Sequence, residues 1–144
     1  MMIALLLLLT AELRTAPTRI GLRVTTPQYD GVIIAPERIG KAAWVAGPAH
    51  VAEFETALAT FLNGQGHSTR LSSELRRYKR QYWALMRNGH KVLSVCGFHE
   101  TKKPVATNEW LDNVWSVAGG GDFFFRADYD FATKRIHGGP NAPK

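Results

Sequence analysis

The feature that most constrains this chain is the dipeptide Asn88-Gly89, set between two runs of strand-forming residues, 78–86 (YKRQYWALM) and 91–96 (KVLSVC). Asn-Gly favours a type I′ turn, because both central residues must take positive φ and these two accept it at the least steric cost. A hairpin here makes the flanking apolar segments sheet, and a sheet needs another element to cover its apolar face.

The best candidate for that cover lies upstream, over residues 48–63. Pro48 suits a first helical turn, where its missing N–H costs nothing. Glu53 and Glu55 lie towards the N-terminal end, where the helix dipole favours negative charge. Val51, Phe54, Leu58, Phe61 and Leu62 recur at helical spacing as one apolar stripe. Asn63-Gly64 supplies a stop. Beyond the hairpin, residues 101–108 read as an exposed loop and 113–118, with Trp115 and Val117, as a third strand. The three glycines at 119–121 read as a bend. Residues 123–130 then make a fourth strand, and 135–137 a short last one. Ahead of the helix, 20–24 and 32–35 are short β-rich pieces bounded by proline and glycine, of which one is a candidate edge strand. The expected fold class is α+β, with one main helix packed on an antiparallel meander sheet of four to five strands. A chain of 144 residues fits one domain. That domain is expected over residues 12–137, with a flexible tail at 138–144.

Residues 1–11 (MMIALLLLLTA) are apolar and uncharged. The run is shorter than the about 20 residues a membrane-spanning helix needs, so no transmembrane span is expected. Its length suits the hydrophobic part of a secretory signal peptide, with Ala11 or Ala16 as the cut, although no Lys or Arg precedes it. The reading is a signal-peptide remnant and a periplasmic or secreted protein. If the run is instead a buried helix or strand, the protein is cytoplasmic.

The net charge of +6 is unevenly spread. Nine basic and two acidic residues fall within 70–103, whereas the rest of the chain carries nine basic and ten acidic ones. The excess surrounds the hairpin, so Arg76, Arg77, Lys79, Arg80, Trp83 and Lys91 are the candidate binding residues. Such a concentration attracts an anionic surface, and a protein partner, including a second copy of the chain, is the other expectation. The plain alternative is a solvated strand, since edges carry Lys and Arg to discourage strand addition. Strand alternation places Arg76 and Arg80 with Tyr78, and Arg77 and Lys79 with Gln81 and Trp83. Trp83 and Phe124 are candidates for an exposed aromatic surface.

Little here points to chemistry. The single cysteine, Cys96, excludes an internal disulfide and a four-cysteine zinc site, and inside a strand it reads as a small buried hydrophobe. His50, His67, His90, His99 and His137 lack zinc-ligand spacing and read as surface residues. There is no G-x-S-x-G elbow, and Gly119-Gly120-Gly121-Asp122 lacks the Lys-Ser/Thr of a phosphate loop. No catalytic residue, metal site or cofactor is assigned.

Three segments taken together carry a resemblance: YKRQY at 78–82 leading into the Asn-Gly turn, GGGDFFF at 119–125, and YDFATK at 129–134. Over residues 48–142 the chain resembles a family of small, exported, functionally uncharacterised bacterial α+β proteins. It departs from them at Ala118, where an aspartate usually stands. The resemblance implies an envelope location and no activity. The order of elements is also cystatin-like in layout, but the turn lacks the Gln-x-Val-x-Gly of peptidase-inhibiting cystatins, so inhibition is not implied. The expected function is a non-catalytic envelope binding protein of unknown ligand. The alternatives are an enzyme on a cone-shaped α+β fold with an aromatic-lined pocket, and a nucleic-acid-binding module, since residues 76–83 interleave basic and aromatic groups.

Overall fold

The computed structural model describes residues 12–66 and 68–141. The expected signal-peptide remnant lies outside the described residues. Seven strands form one sheet: β1 (Arg14–Pro17), β2 (Gly21–Thr25), β3 (Asp30–Ile34), β4 (Tyr78–Arg87), β5 (His90–His99), β6 (Phe124–Asp130) and β7 (Arg135–Pro140). Their spatial order follows the chain, and every neighbouring pair is antiparallel except β3 and β4, which run parallel. Among the described residues four helices accompany them: α1 (Pro36–Ile39), α2 (Pro48–Asn63), α3 (Arg70–Ser73) and α4 (Lys103–Ala106).

This corrects the expected fold. The sheet is mixed and seven-stranded, not a four- to five-stranded antiparallel meander of cystatin-like layout. The parallel join of β3 to β4 needs a crossover, and α2 lies in that connection. The residues of β3 are buried throughout, as befits a short apolar run in mid-sheet, covered on both faces. Its flanking glycine and proline suggested an edge instead. β1 is exposed throughout and has no apolar pattern to announce it. β7 extends to Pro140, into the expected tail.

The β4–β5 turn is as the dipeptide demands, with φ of 50° at Asn88 and 77° at Gly89. One sheet face carries Val24, Ile33, Tyr78, Tyr82, Leu93, Val95 and Phe125 and packs against Val51, Phe54, Leu58 and Leu62 of α2. Phe61 is only partly buried, at the margin of that core. Phe125 crosses to Gly97, where a Cβ would lie 1.8 Å from its ring.

The opposite face has its own core of Val32, Ile34, Cys96, Phe98, Val105 and Trp110. Its cover is the segment expected to be an exposed loop and a third strand. Residues 113–118 form no strand, and α4 with the 3₁₀ turn Glu109–Leu111 lies over the sheet. Gln81 fastens this cover. Fully buried in β4, its amide donates to the carbonyls of Trp110 (2.8 Å) and Asn113 (2.7 Å) and accepts the Trp115 N–H (3.0 Å). A buried amide must be paired to be tolerated, and these bonds tie an irregular segment to the middle of a strand.

Candidate functional site

The six hairpin residues do not form one surface. Arg80 is wholly buried. It donates from Nε and a terminal nitrogen to the two oxygens of Glu55 on α2 (2.9 and 3.0 Å) and to the carbonyls of Leu75 and Tyr78. It therefore adds no charge to any exposed patch. Lys79 points to the other face, where its Nζ lies 3.0 Å from Asp30. Arg23 grips the same carboxylate in bidentate fashion at 2.9 and 2.8 Å, and both cations lie over the Trp110 ring, 5.4 and 5.8 Å from its centroid. Burial would lift the Asp30 carboxyl, but the hydrogen bonds from Arg23 and Lys79, with their charges, hold it below the usual range. Arg77 is shared between Glu74 and Glu100, 2.7 Å from each. Lys91 lies 5.4 Å from the centre of the Trp44 ring, and Trp83 is half-buried against the second core. Arg76 is exposed, with neither ion pair nor hydrogen bond among the described residues. Tyr78 and Tyr82 face the core with no exposed ring surface.

Four of the nine basic residues of 70–103 are thus met by acids from distant segments. Besides Asp30 and Glu55, Asp122 lies 3.2 Å from Arg70 and Asp128 2.9 Å from Arg87.

Arg76 and Arg77 do border a cleft of about 730 Å³ between α2, the α3 region and the turn joining β2 to β3. Along α2 it is lined by Ala52, Thr56, Ala59, Thr60 and Asn63, and across from them by Ser72, Ser73 and Leu75. Tyr29 comes from the β2–β3 turn. The α2 residues recur at helical spacing beside the apolar stripe, and their short side chains leave the groove open. That second stripe is the one sequence signal for the cleft. Small residues on a helix ordinarily mean nothing by themselves, so this stripe does not stand out in the sequence.

The charges in the cleft are mostly spoken for. Glu55, 7% exposed, accepts from Arg80 and from the Tyr82 hydroxyl at 2.7 Å. Burial, reinforced by Glu55, pushes the Tyr82 hydroxyl well above its ordinary pKa, so it remains a donor. Glu74 takes Arg77 at 2.7 Å and His99 Nε2 at 3.2 Å. On its other side His99 Nδ1 meets the Thr101 hydroxyl at 2.8 Å. Desolvation would raise the Glu74 carboxyl, but the His99 hydrogen bond and the charges of Arg77 and Arg70 outweigh it and keep it ionised. His99, expected at the surface, is 1% exposed. The hydroxyls of Thr56, Thr60 and Ser73 donate to helix carbonyls at 3.0, 3.0 and 2.8 Å, which leaves their oxygens free to accept. What the cleft offers is a strip of small apolar groups, a row of acceptor oxygens and one uncommitted guanidinium, Arg76.

No group of three His, Cys, Asp or Glu among the described residues is placed to hold a metal ion, and no described helix is long and apolar enough to cross a membrane. No family model, curated protein or solved structure gives a significant match to this chain.

Proposed function

We propose that this chain is a non-catalytic binding protein of the cell envelope whose ligand sits in the cleft beside α2. The ligand class is an amphipathic molecule of modest size with a single anionic group. The observation that carries this reading is the division of charge in the cleft. Glu55 and Glu74 are each neutralised by internal cations, whereas Arg76 at the border is not. The cleft volume lies within the roughly 300–1,000 Å³ usual for small-molecule sites. The Glu74 carboxyl, held below its ordinary range by His99 and Arg77, is a poor proton acceptor, which favours binding over general-base chemistry. The apolar, uncharged run at residues 1–11 and the likeness to exported proteins support the envelope location. The nucleic-acid alternative loses its footing because Tyr78 and Tyr82 have no exposed ring for a base to stack on.

Octanoate and its neutral counterpart octanol serve as probes, followed through backbone amide shifts. Octanoate should move the amides of Ala52, Thr56, Ala59, Thr60 and Ser73 in a saturable way, with octanol weaker. Arg76→Gln should bring octanoate down to the level of octanol. Shifts that fail to saturate, or that spare α2, overturn the proposal.

A further inference from the structure

We propose that the face of the sheet away from α2 carries a second, separate site for a small aromatic carboxylate, its acid group on Arg126 and its ring against Trp83 and Trp115. The cover of this face closes over β3 and β4, where Val105 and Trp110 are buried, and thins out towards β6 and β7. There Trp83, Leu85, Ser94, Cys96, Trp115 and Arg126 frame a cleft of about 290 Å³. A second hollow of about 420 Å³ is bounded by Arg87, Ser94, Arg126, Asp128 and His137. Arg87, Ser94 and Arg126 belong to both, so the two hollows meet over these side chains.

Register explains why Arg126 is left uncovered. Across β5 and β6 it pairs with Cys96, and on its other side with Gly139, which has no side chain to lay over it. The charges nearby are unequally distributed. Arg87 donates to Asp128 at 2.9 Å, and His137 approaches the same carboxylate at 3.7 Å. No carboxylate among the described residues pairs with Arg126, which stands opposite Cys96 in the sheet. An exposed arginine alone would be ordinary. This one stands where an aromatic-walled cleft meets a polar hollow, with the Ser94 hydroxyl beside it.

The chemistry of the occupant follows from those walls. A planar guanidinium takes a carboxylate through two parallel N–H···O bonds. Two indole rings offer flat apolar area for a ring of similar size. The volume of the inner cleft is at the lower limit for ligand sites, which restricts the occupant to one or two rings. Asp128 in the adjoining hollow is already matched by Arg87, so the one charge left for a ligand is that of Arg126, which suits a monoanionic carboxylate rather than a dianionic phosphate.

The test uses the full chain and follows the indole N–H resonances of its tryptophans by NMR, with phenylacetate as probe. Acetate, benzyl alcohol and phenyl phosphate are the comparison compounds. Phenylacetate should shift Trp83 and Trp115 saturably, with a Kd of about 1 mM or below, which is reachable for so small a ligand. Acetate and benzyl alcohol should bind at least about tenfold more weakly, since each keeps only one half of the recognition. Arg126→Gln, an exposed position, should abolish the preference for phenylacetate over benzyl alcohol and leave the melting temperature unchanged. Arg76→Gln, in the cleft beside α2, should leave the phenylacetate shifts of Trp83 and Trp115 intact, which separates this site from that one. The proposal is overturned by absence of saturable shifts, by shifts confined to Trp44 on the α2 side of the sheet, by insensitivity to Arg126→Gln, or by phenyl phosphate binding as tightly as phenylacetate.

Discussion

Replacing Glu55 with alanine would leave the Arg80 guanidinium without its carboxylate in a place water does not reach. Arg80 is 0% exposed and Glu55 7%, so both ions have left solvent almost completely. Their desolvation is recovered through two charge-assisted bonds of 2.9 and 3.0 Å and a third from the Tyr82 hydroxyl at 2.7 Å. Breaking a buried pair from one side costs about 3–5 kcal/mol, because the remaining charge stays buried and uncompensated. That is a large share of the about 5–15 kcal/mol that holds a domain of this kind together. Tyr82→Phe removes only one bond to the same carboxylate and should cost about 1.5–3 kcal/mol. A joint Glu55→Leu and Arg80→Met replacement removes both charges, and should recover most of the single-variant loss. Urea unfolding followed by circular dichroism measures all three, provided the dependence on denaturant is unchanged. If Glu55→Ala stays within about 0.5 kcal/mol of the parent, the range of an ordinary surface substitution, the pair is not what holds α2 to β4. A joint variant no better than Glu55→Ala would equally refute the argument.

Two further outcomes are expected. Asp30 has a lowered pKa in the folded chain, so its contribution is present above its unfolded value near 3.8 and is lost as pH falls through the folded one; the stability gap between parent and Asp30→Asn should be widest near neutrality and close in acid, and a gap independent of pH would refute the charge argument. All four tyrosines have raised pKa values, Tyr129 to about 12 through burial and the Glu53 hydrogen bond, so the 295 nm phenolate absorbance of the folded protein should show no step at pH 10 and should rise only at higher pH; a full step at pH 10 without unfolding would disprove the burial of these hydroxyls.

The parts of this protein that neighbouring residues could specify were legible in its sequence. Asn88-Gly89 determines a turn because positive φ is a property of those two residues, and the turn is there. The helix at Pro48–Asn63 needs only a proline start, a stop and a stripe at 3.6-residue spacing, and it occupies those bounds. Cys96 reads as buried and is 6% exposed. The partner of each element was not legible. β3 runs parallel to a strand that begins more than forty residues later, and nothing within its own five residues says so. Residues 101–108 read as an exposed loop and 113–118 as a strand; only contact with the sheet shows that Val105 and Trp110 complete a second core.

Charge shows the division most clearly. The sequence places nine basic residues within 70–103, and counted along the chain they make a basic hairpin. In three dimensions Glu55, Asp30, Asp122 and Asp128 reach that region from other elements and pair with Arg80, Lys79, Arg70 and Arg87. Arg76, Lys91, Lys102 and Lys103 keep no carboxylate partner among the described residues; of these Arg76 borders the cleft beside α2, and Arg126, outside this stretch, borders the second cleft. Composition determined how much positive charge this chain carries. Tertiary structure decided how much of it is left unpaired, because Coulomb attraction acts through distance in space and takes no account of separation along the chain.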